Sequence, residues 1–272
     1  MTVADAFRAL HQGPDPLVLA NAWDAATARL VEQAGGRAVA TSSAAVSWAH
    51  GVADGEHLGR EAALSTAREI VRTVRVPVTM DLESGYSRDP AEVGALARQV
   101  IDAGIAGINL EDGTEPPELL VAKIESIKQV AAAMGGDLFV NARTDVYLKS
   151  LVQAERALDE TLRRARLYAA AGCDGLFPAG VKDEASIRAI AGAIRVPVNV
   201  LALPGLAPVT ELGRWGVRRV SVGSALASAV FATVRALVTD VLRVGTYDAL
   251  FREWIPGKEL NTMFASSPPP AR

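Results

Sequence analysis

The sequence predicts an α/β protein of the (β/α)8, or TIM-barrel, class, extended at its C-terminus by further helix. Three observations lead there. Short apolar, β-branched runs recur at intervals of roughly thirty residues, as expected of strands covered on both faces in a parallel sheet. Amphipathic, alanine-rich stretches fill the intervals. Four junctions, VEQAGGRAVA, IDAGIAGINL, AAAGCDGLF and LGRWGVRRVSV, repeat one order of helix, small pair and strand, in which glycine ends the helix in the left-handed conformation.

In chain order, strands are expected at PLVLA (16–20), RAVAT (37–41), VPVTMD (76–81) and GINLED (107–112), then at LFVNART (138–144), CDGLFPA (173–179), VPVNVL (196–201) and RRVSVG (218–223). Helical patterns such as AATARLVEQAGG, EAALSTAREIVRTV, PAEVGALARQVIDAGI and DEASIRAIAGAI separate them. Strict alternation favours a closed barrel over an open doubly wound sheet, and no G-x-G-x-x-G follows the first strand. After the eighth strand the helix ASAVFATVRALVTDVLRVG precedes TYDALFREWIPGKELNTMF, which is more chain than a barrel needs. The expected organisation is a barrel over 1–244 that carries the site, and a helical extension over 245–265 suited to packing on a neighbouring subunit. The tail 266–272, SSPPPAR, is expected to be disordered.

Composition excludes several function classes. Half of the 272 residues are hydrophobic, the formal net charge is −3 and no basic cluster occurs, which argues against a nucleic-acid or anionic-membrane surface. The N-terminus lacks the pattern of a secretory signal, and no apolar run is expected to reach bilayer-spanning length. The single cysteine, Cys173, excludes an internal disulfide and a cysteine zinc site. A cytoplasmic location is the expectation.

The chemistry concentrates in RVPVTMDLESGY (75–86). Its strand climbs from a proline to Asp81 and Glu83, and residues i and i+2 of a strand share a face. Two adjacent carboxylates resist joint ionisation unless a cation, a proton or solvent intervenes. The fourth strand ends in Glu111 and Asp112, the fifth in Arg143 and Asp145, and the loop after the second carries Ser42, Ser43 and Asp54. Functional groups of such barrels gather at the C-terminal strand ends. Any one acid there is more often a helix cap or a solvated charge. Acids at consecutive strand ends suit a hard divalent cation with oxygen ligands, and Arg143 suits a carboxylate clamp. His11, His50 and His57 show no ligand spacing. Cys173 lies at the wrong end of its strand, Lys123 is expected to be solvated, and the four tryptophans are expected to be packing residues, with Trp48 near enough to the second-strand loop to wall the pocket as the alternative.

From about Leu17 to Phe264 the sequence resembles the isocitrate lyase / phosphoenolpyruvate mutase superfamily. The resemblance rests on NAWDAATARLVEQAGGRAVATSSAAVSWAHGVADGE, VPVTMDLESGY, GINLEDG and VNARTDVYL. The family's Asp-x-Asp-x-Gly-Tyr stands here as DLESGY. The resemblance implies a Mg²⁺- or Mn²⁺-dependent barrel acting on α-oxo acids. Asp81 would bind the metal directly, with Asp54, Glu83 and Glu111 holding it through water. Ser42, Ser43 and Ala44 would receive the substrate carboxylate, Asp81 and Arg143 would also contact the substrate, and Asp54, Glu111 and Arg143 would form the catalytic set. A homodimer or homotetramer with a swapped C-terminal helix is implied too.

The departures bear on the reaction. EDGTEPPELLVAKIES lacks the lid motif of the isocitrate-type lyases, with no Cys, His or Lys between Glu111 and Ala122. Ala179 stands where the lyases have glutamate, Leu201–Leu203 replace a family asparagine, and Ala40 replaces a mutase tryptophan. The leading expectation is a lyase that cleaves a C–C bond of a small α-oxo or 2-hydroxy dicarboxylate through a metal-stabilised enolate. It would be isocitrate/methylisocitrate lyase-like or oxaloacetate decarboxylase-like. The alternatives are a P–C bond enzyme, such as a phosphonopyruvate hydrolase or mutase, and a metal-dependent α-oxo-acid binder with little turnover.

Overall fold

The computed structural model describes residues 2–265, so the expected disordered tail, 266–272, lies outside the described residues. Helix α1 (Val3–Ala9) is followed by strands β1 (Leu17–Leu19) and β2 (Asn21–Ala22), α2 (Ala25–Gln33), β3 (Val39–Thr41), α3 (Ser43–Ala49) and α4 (Arg60–Thr73). Next come β4 (Val78–Asp81), α5 (Pro90–Asp102), β5 (Gly107–Glu111), α6 (Pro117–Ala133), β6 (Phe139–Thr144) and α7 (Ala157–Ala170). The chain ends with β7 (Gly175–Pro178), α8 (Glu184–Ala193), β8 (Val198–Leu201), α9 (Val209–Arg214), β9 (Val217–Ser221), α10 (Ala225–Thr239) and α11 (Gly257–Ala265).

Every pairing is parallel, in the order β1-β9-β8-β7-β6-β5-β4-β3-β2. The two ends of that list are halves of one segment. Leu17–Leu19 pair with β9 and Asn21–Ala22 pair with β3, so the ring closes through a first strand interrupted at Ala20. The eight predicted strands are all present, and the ninth arises from this interruption.

The helices begin where the sequence supplies caps. Asp24 and Thr27 form a capping box on α2, Asp89 caps α5 ahead of Pro90, and Asp183 caps α8. Their apolar faces meet the outward side chains of the strands in one large core that includes Leu64, Leu96, Ile108, Ile124, Val140 and Leu176. Phe7 of α1 plugs the N-terminal end of the barrel against Leu17, Leu19 and Phe139. Above that plug the interior is polar, with Asn109, Asn141, Asn199, Arg219 and Ser221 all buried. Branched apolar side chains usually fill this space.

Asp112 turns out to be part of the scaffold. It is 2 % exposed, and it accepts hydrogen bonds from Arg164 Nη1 (2.8 Å), the Tyr168 hydroxyl (2.6 Å) and the Asp145 N–H (3.0 Å). It therefore ties β5 to α7 and points away from the mouth. Removing one member of a buried ion pair leaves an uncompensated charge. Asp112→Ala is expected to lower unfolding stability by about 3–5 kcal/mol in a urea titration.

The helix after the last strand, α10, is the exception to the packing. Of α10 only Ala227 is buried, and the helix runs on through a π-helical turn, Asp240–Val244. The stretch Ala225–Val244 is 20 residues long with mean hydropathy 1.7, which corrects the expectation that no segment reaches spanning length. By length and composition it does, although Arg235 sits near its middle, where a bilayer penalises charge.

Candidate active site

The strand ends bring the predicted residues to one cavity of about 250 Å³ at the C-terminal mouth of the barrel. Ser42, Ser43 and Ala44 of α3 and its cap line it, with Asp54 from the following loop, Asp81 from β4 and Arg143 from β6. Asn21, Asn109 and Ser221 contribute further polar groups, and Leu148, Phe177 and Leu201 give an apolar wall. The lining thus contains six of the eight expected residues. Glu83 and Glu111 stand behind it.

Asp81 is the central acid. Its Oδ2 accepts the Ser43 N–H at 3.1 Å, while Oδ1 is buried with no hydrogen-bond partner. The Ser43 N–H is therefore already occupied. The Ala44 N–H, another first-turn donor without an intrahelical acceptor, and the two serine hydroxyls are left for a ligand.

Glu83 does not reach the site by strand alternation. β4 ends at Asp81, and Glu83 lies beyond it in the left-handed region at φ 51°. Its carboxylate accepts the Glu56 N–H at 2.6 Å and the Tyr86 hydroxyl at 3.2 Å. Burial, and then Asp81 beside it, push the Glu83 carboxyl up to about 7.

Glu111 faces Arg143, with Oε2 2.7 Å from Nη1, and Arg143 Nε also donates to Asp145 at 2.7 Å. Burial still pushes the Glu111 carboxyl up to about 8, with Asp145 and Asp81 adding to the effect and Arg143 opposing it. Lys149, 3.8 Å from Glu111 and 2.9 Å from Asp145, adds a second cation beside the pair.

Sequence reasoning missed the device that holds the Asp54 loop. Glu56 Oε1 accepts from the Ser84 N–H (3.2 Å), the Ser84 hydroxyl (2.6 Å) and the Tyr86 N–H (2.9 Å). Its own N–H returns a bond to Glu83, so the loop and the turn after β4 are locked reciprocally. Lys123 lies beneath, 3 % exposed, donating to the Ser84 carbonyl at 2.6 Å, which overturns its reading as a solvated charge. Glu56 (φ 65°), Glu83 (51°) and Tyr86 (59°) all sit in the left-handed region, a strain that the mutual bonds sustain. Gly85 fits the same turn because a Cβ there would press 3.0 Å from Val93. Contacts 27–30 residues apart carry no local pattern, so no sequence signal marked them. Glu56→Ala is expected to weaken oxo-acid binding about tenfold by freeing the Asp54 loop while the barrel stays folded, as calorimetry and circular dichroism would show.

Other candidates fall away. His50 Nε2 lies 3.1 Å from the Thr66 hydroxyl, and His57 Nδ1 braces the Asp54 carbonyl at 3.0 Å. His11 is buried at the opposite end of the barrel, where burial and Arg219 press it down to about 3. Trp48 packs near Phe231 rather than walling the cavity. Cys173 is buried and free, as expected. Ala179 is wholly buried and brings no acid to the end of β7. Five residues join β5 to α6, so the lid is absent here as the sequence indicated.

A divalent cation fits these residues. All the donors are oxygen, Asp81 offers an unpartnered buried oxygen, and two flanking carboxyls are pushed up by burial, with the Asp81 charge adding to it. No three His, Cys, Asp or Glu side chains among the described residues converge closely enough to enclose an ion. That suits an ion with one direct carboxylate and waters elsewhere.

The family model described as phosphoenolpyruvate phosphomutase matches residues 7–242. The chain belongs to that family. It is an enzyme of the isocitrate lyase / phosphoenolpyruvate mutase superfamily, of lyase type, and members of this superfamily depend on a divalent metal. A crystal structure from Burkholderia cenocepacia J2315, provisionally named a phosphonomutase, is 41 % identical with a TM-score of 0.83, covering 88 % of this chain and 98 % of its own. The 2-methylisocitrate lyase of Bacillus subtilis is 29 % identical over 78 % of this chain and 69 % of its own length. The oxaloacetate decarboxylase of Ectopseudomonas mendocina is 32 % identical over 68 % and 61 %.

Proposed function

We propose that this enzyme cleaves a C–C bond of a small α-oxo or 2-hydroxy dicarboxylate with Mg²⁺ or Mn²⁺ as cofactor. The observation that carries the reading is the unpartnered Oδ1 of Asp81, buried in a small cavity that also holds Arg143. Asp81 would hold the cation directly, and Asp54, Glu83 and Glu111 through water. Bound there, the cation supplies Lewis acidity toward a developing negative oxygen. Ser42, Ser43 and Ala44 receive one carboxylate of the substrate. Arg143, itself fixed by Glu111 and Asp145, orients the substrate from across the cavity. Asp54, exposed on its braced loop, and Glu111, whose carboxyl burial pushes up to about 8 before the cation binds, are the groups placed to move a proton.

The far wall supports carbon rather than phosphorus as the departing group. Leu148, Phe177 and Leu201 stand there, and Arg143 is the one cation in the lining. A phosphonate dianion would meet too little positive charge. The test is a turnover screen over oxaloacetate, isocitrate, 2-methylisocitrate and phosphonopyruvate with Mg²⁺ or Mn²⁺, and with chelator as control. Metal-dependent cleavage of a carbon substrate is expected. Metal-dependent binding without product from any of them would sink the lyase reading in favour of a binder.

The same proposal includes a homodimer or homotetramer formed through α10. The last helix of a (β/α)8 barrel normally covers the outer face near the first strand. Here only the first turns of α10 reach it, with Leu226 and Val230 on the rim and Phe231 near Trp23; Val18 of β1 is 44 % exposed, and a groove of about 610 Å³ lined by Leu17, Val18, Trp23, Leu30 and Val31 remains. Beyond the groove, Val234, Val238 and Leu242 of the same helix form an exposed stripe at helical spacing that matches it in character. A second copy's α10 would fill it. Val234→Glu combined with Val238→Glu is expected to shift the chain toward monomer in light scattering; an unchanged oligomer, or a wild-type monomer, would refute the pairing.

A further inference from the structure

Asn109, which lies within GINLEDG, lines the cavity but has no role in the metal-centred mechanism. It lies on β5 two residues before Glu111, in register with Asp81 on one side and Asn141 on the other. It is 6 % exposed and lines the cavity together with Asp81 and Arg143.

The orientation of its amide is not free. Asn109 Oδ1 accepts from Arg219 Nη2 at 3.1 Å and from Asn141 Nδ2 at 2.9 Å. A guanidinium can only donate, so the atom facing it must be the oxygen. The Nδ2 group is thereby turned away from Arg219. Among the described residues it donates to no protein acceptor, and it is not one of the polar atoms sealed inside the protein.

Arg219 is itself unusual. It is 1 % exposed, forms no ion pair among the described residues, and leaves Nη1 without a partner. Its Nε donates to Ser221 Oγ at 3.2 Å, and the Ser221 hydroxyl donates in turn to Asn199 Oδ1 at 3.1 Å. A buried cation without a carboxylate is expensive to keep. If the layer only filled the barrel, its amides could satisfy one another. Instead Arg219 takes the Asn109 oxygen from below, and places a positive charge under a cavity built for an anion.

We infer that Asn109 contacts the ligand, its amide N–H donating to a carboxylate or oxo oxygen of the bound acid, and that Arg219 is the positioning residue that keeps the amide this way round. This rests on the reading that an oxo-acid occupies the cavity.

The test is calorimetric binding of oxalate to the full chain with saturating Mg²⁺, beside binding of Mn²⁺ alone. Asn109→Asp keeps an acceptor for Arg219 and turns the donor into an acceptor. It is expected to weaken oxalate at least thirtyfold while the protein remains folded. Asn109→Ala is expected to weaken oxalate about tenfold with Mn²⁺ affinity changed less than threefold. Arg219→Met is expected to weaken oxalate and Arg219→Lys to restore part of the loss, a rescue that simple destabilisation would not show. Oxalate binding within twofold of wild type in both Asn109 variants would overturn the inference. If wild type binds no oxalate or pyruvate, the oxo-acid reading has failed, and a ligand-free crystal structure still decides the inference. An ordered water on Asn109 Nδ2 in the cavity supports it, and an amide flipped with its oxygen toward the cavity overturns it.

Discussion

Asp81→Ala is expected to abolish metal-dependent turnover, by about a thousandfold or more, equivalent to roughly 4 kcal/mol of transition-state stabilisation. The carboxylate has two tasks in one place. Oδ2 holds the Ser43 N–H at the start of α3, and Oδ1 is the unpartnered oxygen that faces the cation site. Asp81→Asn separates them, because it retains an oxygen for Ser43 and loses the charge. Its activity should fall nearly as far, and Mn²⁺ titration should show the loss of affinity directly. Stability should move the other way. Asp81 is the largest electrostatic contribution that raises Glu83, so without its charge the Glu83 carboxyl ionises more easily. The metal-free Asn variant should therefore melt no lower, and near pH 8 somewhat higher, than wild type. An inactive variant that had also lost its fold would leave the assignment of Asp81 to the metal without support, and full activity in either variant would refute it.

The metal-free enzyme is expected to lose stability as pH rises from about 6.5 to 8, and Mg²⁺ should remove most of that dependence. Glu83 and Glu111 titrate in the folded protein near 7 and 8 and, unfolded, near the ordinary 4.5. Between those limits the folded state binds more protons, so stability falls with pH across the window. For the two carboxyls together the loss over this window is at most about 2 kcal/mol, allowing for water at the mouth. Two other groups contribute little in this window. His11, pressed down to about 3, is neutral in the fold, and its remaining protonation in the unfolded chain near pH 6.5 opposes the trend only slightly. Cys173, which burial pushes up to about 12, begins to matter only where an unfolded thiol ionises. A divalent cation at Asp81 favours the charged forms, so it should displace protons on binding and raise Tm more at pH 8 than at pH 6.5. Calorimetry in two buffers of different ionisation enthalpy would count those protons. A flat Tm profile without metal, or proton-free binding, would show that the carboxyls are not coupled to the cation.

Both results depend on groups of differing legibility. Asp81, Glu111 and Arg143 were readable because each ends an apolar run, and the C-terminal ends of such strands converge in a barrel whatever the loops do; Asp54, in the loop beyond α3, was placed by the resemblance. Asp112 and Asp145, one and two residues away from those groups, looked equivalent. In the structure Asp112 accepts from Arg164 and Tyr168 of α7, a direction that depends on which helix covers that strand. Glu83 was expected beside Asp81 for the wrong reason, since the strand stops at Asp81 and a left-handed turn brings Glu83 back.

What the sequence determined by itself was the order of strands and helices, the closed barrel, the acidic mouth and the missing lid. These follow from local periodicity, from caps such as Asp24 and Asp89, and from residue types at strand ends. Only the tertiary structure decided how the mouth is held. The Glu56 latch on Ser84 and Tyr86, the buried Lys123 beneath it, and the amide of Asn109 set by Arg219 from β9 each join residues from separate parts of the chain. A hydrogen bond between distant segments depends on their final distance and angle, neither of which spacing along the chain records. The same holds for α10, whose apolar stripe reads from its sequence as an ordinary outer helix. Only the structure shows that its first turns touch the barrel near Trp23 while the rest, like Val18, stays exposed.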